Sequence, residues 1–114
     1  MKLEPADLVL VPFPFTDLSA TKTRPALVLS SKEYNALGHD VIVCGVTSNL
    51  SNAAHSVLIE HSDLATGKLP VSSRVKVDKV VTLQQSIIRR KLGRLKPVVL
   101  ARVYREFYSL FPNE

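Results

Sequence analysis

Two aliphatic runs, "ALVLS" at 26–30 and "VIVCGV" at 41–46, constrain the fold of this chain more than any other feature. Both are rich in aliphatic and β-branched residues and alternate little between apolar and polar positions, the pattern of strands covered on both faces. They belong at the centre of a sheet. At 114 residues the chain can bury one core around them and is too short for two, so residues 1–114 are expected to form a single domain.

The stretch "TKTRP" leads into the first run. Proline disfavours the α region for the residue before it, so Arg24 is extended and is expected to begin the strand "RPALVLSS". "DLVLVPF" reads as an earlier strand that stops at the prolines of "PFPF", and "TDLSATKT" as the loop between the two. The second run extends to "DVIVCGVTS", after "KEYNALGH", which has room for one helical turn before Gly38. "SVLIE" is a short strand and "HSDLATGKLP" a long loop of the kind that often binds ligands. In "SRVKVDKVVTL" the residues Arg74, Lys76 and Asp78 alternate with Val75 and Val77. Period two therefore sends the three charged side chains to one side of the sheet. "LQQSIIRRKLGRL" is a turn or short helix followed by an edge segment broken by Gly93. Val99, Leu100, Val103, Tyr104, Phe107 and Leu110 recur at helical spacing behind Pro97, which predicts a terminal amphipathic helix. Short strands, long loops and one closing helix predict a mainly β architecture with short helices, a small and strongly bent barrel rather than an alternating βαβ sheet.

Composition excludes several classes. With 46% hydrophobic and 22% charged residues the chain is globular rather than disordered. Its one cysteine, Cys44, lies in an apolar run where a thiol serves as a small hydrophobe. The first fifteen residues carry Glu4, Asp7 and three prolines around only four consecutive apolar residues, which fits neither a signal peptide nor a membrane span and points to the cytoplasm. The net charge is +5, and seven of the fifteen Lys and Arg residues fall between Arg89 and Arg105 with no acid among them. Such a cluster marks either a nucleic acid or acidic partner, or a solvated helix face and its lead-in turn.

The histidines, His39, His55 and His61, lack the spacing and the company of a metal site, and "TGK" at 66–68 lacks the rest of a phosphate loop. No cofactor is expected. Three strand-borne features remain: Arg24, Thr47 at the end of "GVTS", and the charged face of Arg74, Lys76 and Asp78. An arginine presents five fixed donors that match a phosphate, a threonine hydroxyl can donate to the same group, and a carboxylate can take a proton. Such a set suits metal-independent RNA cleavage, in which the 2′-hydroxyl attacks its own phosphodiester. The same residues also suit a structural reading, with Arg24 and Asp78 as an ion pair, Thr47 as a strand end and Lys76 solvated.

The ordered succession "DLVLVPFPFTDL", "TKTRPALVLSS", "DVIVCGVTSN", "SVLIE", "TGKLPVSSRVKVDKVVTL" and "RRKLGRL" resembles the PemK/MazF family of toxin endoribonucleases over nearly the whole chain. The resemblance implies an SH3-like barrel with a C-terminal helix, a homodimer, cleavage of single-stranded RNA and neutralisation by a cognate antitoxin protein. It aligns Arg24 with the family's catalytic arginine, Thr47 with the hydroxyl residue beside it, and Asp78 with the aspartate that some members use as base. Ser48, Arg74 and Lys76 join Arg24 and Thr47 as expected RNA contacts. Lys76 stands where PemK-type members can have arginine, and the acid that some relatives carry before the catalytic arginine has no clear counterpart in "DLSATKT". Two other readings share the fold. A CcdB-like gyrase poison relies on a tryptophan near the C-terminus, whereas this chain has no Trp and ends "LFPNE". A non-catalytic RNA- or protein-binding module would use the same basic residues.

Overall fold

The computed structural model describes residues 1–113. Seven strands, β1 (Asp7–Pro14), β2 (Thr21–Val28), β3 (Asp40–Thr47), β4 (Ser56–Ile59), β5 (Leu64–Gly67), β6 (Ser73–Gln84) and β7 (Arg90–Leu95), form one antiparallel sheet in the order β4-β6-β3-β2-β1-β7-β5. The aliphatic runs lie on β2 and β3 at its middle, and both faces are covered. On one side Leu8, Leu27, Cys44, Val46, Val75 and Leu95 pack with Val99 and Val103 of the helix α2 (Pro97–Tyr108). On the other, Val9, Val11, Ala26, Val28, Val41 and Val43 form a second core. Cys44 is fully buried, and that burial pushes its thiol up to about 12, so it behaves as an inert apolar group.

The sheet curls into a barrel-like shell without closing. Its bend is built into β6, the longest strand at 12 residues. Cys44 pairs with Val80 but its neighbour Gly45 pairs with Lys76, so Val77, Asp78 and Lys79 form a bulge with no partners on β3. The N-terminal half of β6 sends Val75 and Val77 to the first core, and the C-terminal half packs Val81 and Leu83 against the second.

Three local expectations change. Strand β2 starts at Thr21, three residues before Arg24, because 21–25 pair with β1 alone, Val11 opposite Arg24 and Pro14 opposite Thr21. The stretch "HSDLATGKLP" is a 3₁₀ turn, His61–Asp63, followed by β5 rather than an open loop. Its pairing with β7 needs glycine at 67 and 93: Gly67 has φ +83°, and a Cβ on Gly93 would lie 2.6 Å from the Thr66 carbonyl oxygen. β7 is accordingly an inner strand between β1 and β5, not an edge. The single turn expected in "KEYNALGH" is α1 (Lys32–Leu37), capped by the Ser31 side chain.

Part of the basic run 89–105 is ion-paired. Arg94 bridges Asp7 and Glu4 at 2.9 and 2.8 Å, Lys91 lies 3.3 Å from the same buried Asp7, and Arg102 lies 3.5 Å from Asp63. These contacts tie the N-terminus and α2 to the sheet. Arg90 and Lys91 also face a cleft described below.

Candidate functional site

Arg24 and Thr47 line the same opening because a ladder stops. β2 bonds to β3 only from Ala26, opposite Gly45, onward; continuing the same register would set Pro25 against Val46 and Arg24 against Thr47. Pro25 has no N–H to give, so the strands part at that point and leave Arg24 and Thr47 facing each other across the opening. The face that is apolar at Val28, Ala26, Val43 and Gly45 thus turns polar at its end. Across β6 the row continues, with Arg74 opposite Thr47 and Lys76 opposite Gly45.

Two clefts adjoin this opening and share Arg24, Val46, Thr47 and Asn52 as a common wall. The first, of about 460 Å³, adds Phe13, Phe15, Asp17, Lys76 and Lys79. Its floor depends on Gly45, since a Cβ there would lie 3.2 Å from the Phe13 ring. The second, of about 940 Å³, runs beside the 67–71 segment and is lined by Lys22, Arg24, Lys68, Arg90 and Lys91 with no acid among them. Ser48 belongs to this cleft as well. A ridge with a guanidinium and a hydroxyl, flanked by cations on one side and an aromatic-lined recess on the other, matches a phosphodiester chain laid across it.

Thr47 Oγ1 accepts a hydrogen bond from the Asn49 N–H at 3.1 Å, which fixes the side chain and leaves its own proton free to donate. Among the described residues Arg24 forms no salt bridge, so the Arg24–Asp78 ion pair of the structural reading does not form, and Asp78 instead stands 3.9 Å from Lys76 Nζ. Lys76 is 5% exposed and donates to the Ala54 carbonyl. Arg74 Nε donates to the Leu50 carbonyl at 2.6 Å.

The expected site residues therefore separate. Arg24, Thr47 and Lys76 share one cleft, Arg24, Thr47 and Ser48 share the other, and Arg74 and Asp78 line neither. Asp17, the first residue of the "DLSATKT" stretch in which the acid of some relatives had no clear counterpart, lines Arg24's cleft. Its Oδ1 accepts from the Ser19 N–H at 3.0 Å and the Ser19 hydroxyl at 2.7 Å, and these bonds hold its carboxyl below the usual range. The sequence signal for this turn was "TDLS", an aspartate two residues before a serine. Asn52, Lys79, Lys22 and Lys68 were also missed; Asn52 and Lys68 lie in polar loops, Lys22 on the arm of β2 that pairs with β1 alone, and Lys79 in the bulge of β6. Among the described residues no three of His, Cys, Asp and Glu gather as metal ligands, and no helix is long and apolar enough to cross a membrane.

Residues 4–111 match the family described as the PemK-like, MazF-like toxin of type II toxin–antitoxin systems. A MazE–MazF crystal structure from Deinococcus radiodurans superposes with TM-score 0.76 at 28% identity, covering 96% of both chains. A second crystal form from that organism gives 0.72 at 30% identity over 96% of this chain and 95% of the other. An endoribonuclease in complex with its cognate antitoxin from a mycobacterial species, 16% identical, shares the fold at TM-score 0.74 over 99% and 98% of the two chains. No curated protein sequence matches the chain significantly.

Proposed function

Because the chain belongs to the PemK-like, MazF-like toxin family of type II toxin–antitoxin systems, we propose that it is an endoribonuclease that cuts single-stranded RNA without a metal ion. The observation that carries this reading is the parting of β2 and β3 at Pro25, which sets Arg24 and Thr47 face to face on a ridge between two clefts. The scissile phosphate lies on that ridge. Arg24 grips its non-bridging oxygens and Thr47 donates to one of them, an arrangement that favours the more highly charged phosphorane. The 2′-oxygen of the preceding ribose forms a bond to phosphorus, its proton passes to a carboxylate, and the bond to the 5′-oxygen breaks as that oxygen takes a proton from water. Products are a 2′,3′-cyclic phosphate and a 5′-hydroxyl.

Asp17 shares the cleft with Arg24 and is assigned the proton, while Asp78, outside both clefts and beside Lys76, has a supporting place. The other four cations of the larger cleft, Lys22, Lys68, Arg90 and Lys91, hold flanking phosphates, with Ser48 beside them. An enzyme acting on messenger RNA would work in the cytoplasm.

Incubating the protein with single-stranded RNA in EDTA, beside DNA of the same sequence, tests this reading. Cut RNA bearing 5′-hydroxyl ends and intact DNA are expected. Products with 5′-phosphates, or strict dependence on an added divalent ion, would contradict it.

Two partners belong to the same reading. A cognate antitoxin with an acidic segment would occupy the cationic cleft and exclude RNA. A second copy of the chain would duplicate the site by twofold symmetry. Light scattering at micromolar concentration should then give twice the 12.6 kDa chain mass; a mass of one chain throughout would rule the dimer out.

A further inference from the structure

We propose that Arg74 and Lys76 are positioning residues, which hold the 48–55 loop by its backbone so that Asn52 completes the wall common to the two clefts; the proposal rests on the RNA-cleaving reading of those clefts. Both side chains leave β6 on the same face, and each ends on a carbonyl oxygen of that loop rather than in open solvent. Arg74 Nε donates to Leu50 O at 2.6 Å and its Nη1 lies 3.4 Å from Ser56 Oγ, which itself donates to Ala53 O at 2.6 Å. Lys76 donates to Ala54 O. The attachments bracket Asn52 on both sides.

Within the loop the order is local and shallow. The Ser51 N–H donates to Asn49 Oδ1 at 3.2 Å and the Asn52 N–H to Asn49 O at 3.1 Å, and residues 48–55 are exposed. Such turns open readily unless tied down from outside. Charge-assisted bonds to carbonyl oxygens supply the tie, each stronger than a neutral one. The cations act on RNA through the loop, not by touching phosphate.

Hydrogen exchange on the free protein separates the two roles. Arg74→Met keeps the apolar stem and removes the donors. Exchange at the Ser51 and Asn52 amides should rise by ~10-fold while the β1–β3 ladder stays protected, since one charge-assisted bond is lost from a surface loop. KM for RNA should rise with kcat little changed, and the salt dependence of RNA binding should keep its slope. Ser56→Ala, which alters no charge, should also speed loop exchange. Unchanged loop exchange in both variants, with the salt slope of Arg74→Met reduced by about one, would overturn the proposal in favour of a direct phosphate contact. The exchange result needs no RNA, so it stands or falls apart from the cleavage assignment.

Discussion

Arg24→Ala is expected to lower kcat/KM for RNA cleavage by ~10³-fold or more, because it removes a ground-state phosphate contact and the largest stabiliser of transition-state charge together. The fold should tolerate the change. Arg24 is only half-buried and, among the described residues, forms no salt bridge whose loss would strand a charge. Arg24→Lys keeps the charge but loses the planar fork, so it should recover binding more than turnover. Thermal unfolding and RNA affinity measured beside the rates separate these effects. Near wild-type turnover in a folded Arg24→Ala protein would remove Arg24 from the chemistry.

Asp17→Asn should lower kcat by ~10²–10⁴-fold, the range for loss of a general base, with RNA affinity nearly kept. Asp78→Asn should cost far less. The pH profile gives the same test a sign. The Ser19 backbone N–H, and after it the Ser19 hydroxyl, stabilise the charged form of Asp17, so its carboxyl titrates below the ordinary value of 3.8. The base is thus ionised through neutral and mildly acidic pH, and activity is lost only as pH falls below the ordinary carboxylate range. Ser19→Ala removes the hydroxyl donor and should move that acid limb upward. If Asp78→Asn abolishes turnover while Asp17→Asn cleaves normally, the proton goes to Asp78, as the alignment with aspartate-using relatives implies.

Much of the scaffold was legible in the chain because its signals are local. The unalternating runs of β2 and β3 announced a doubly covered centre, and the spacing of Val99, Val103 and Phe107 announced α2. The dipeptide Arg24-Pro25 was informative for a reason the sequence only half discloses. Proline shows that Arg24 is extended, but that the missing N–H ends a ladder beside Thr47 depends on the register of β2 on β3. Strand β5 was hidden because "LATG" is short and its pairing rests on two glycines meeting across strands. Period two on β6 placed Arg74, Lys76 and Asp78 together, yet the bulge at 77–79 and the loop carbonyls above Arg74 and Lys76 decide what each one meets. The basic run concealed which of its residues pair with acids, since Glu4, Asp7 and Asp63 are distant in sequence and adjacent only in the fold.

The central claim is that the RNA supplies its own nucleophile on the Arg24–Thr47 ridge. Its most direct test uses an oligonucleotide that the protein cuts, with the single 2′-hydroxyl beside the scissile phosphate replaced by hydrogen and EDTA present throughout. That bond should remain intact while the all-ribose control is cleaved to a 2′,3′-cyclic phosphate and a 5′-hydroxyl; cleavage of the deoxy-substituted bond would contradict the mechanism.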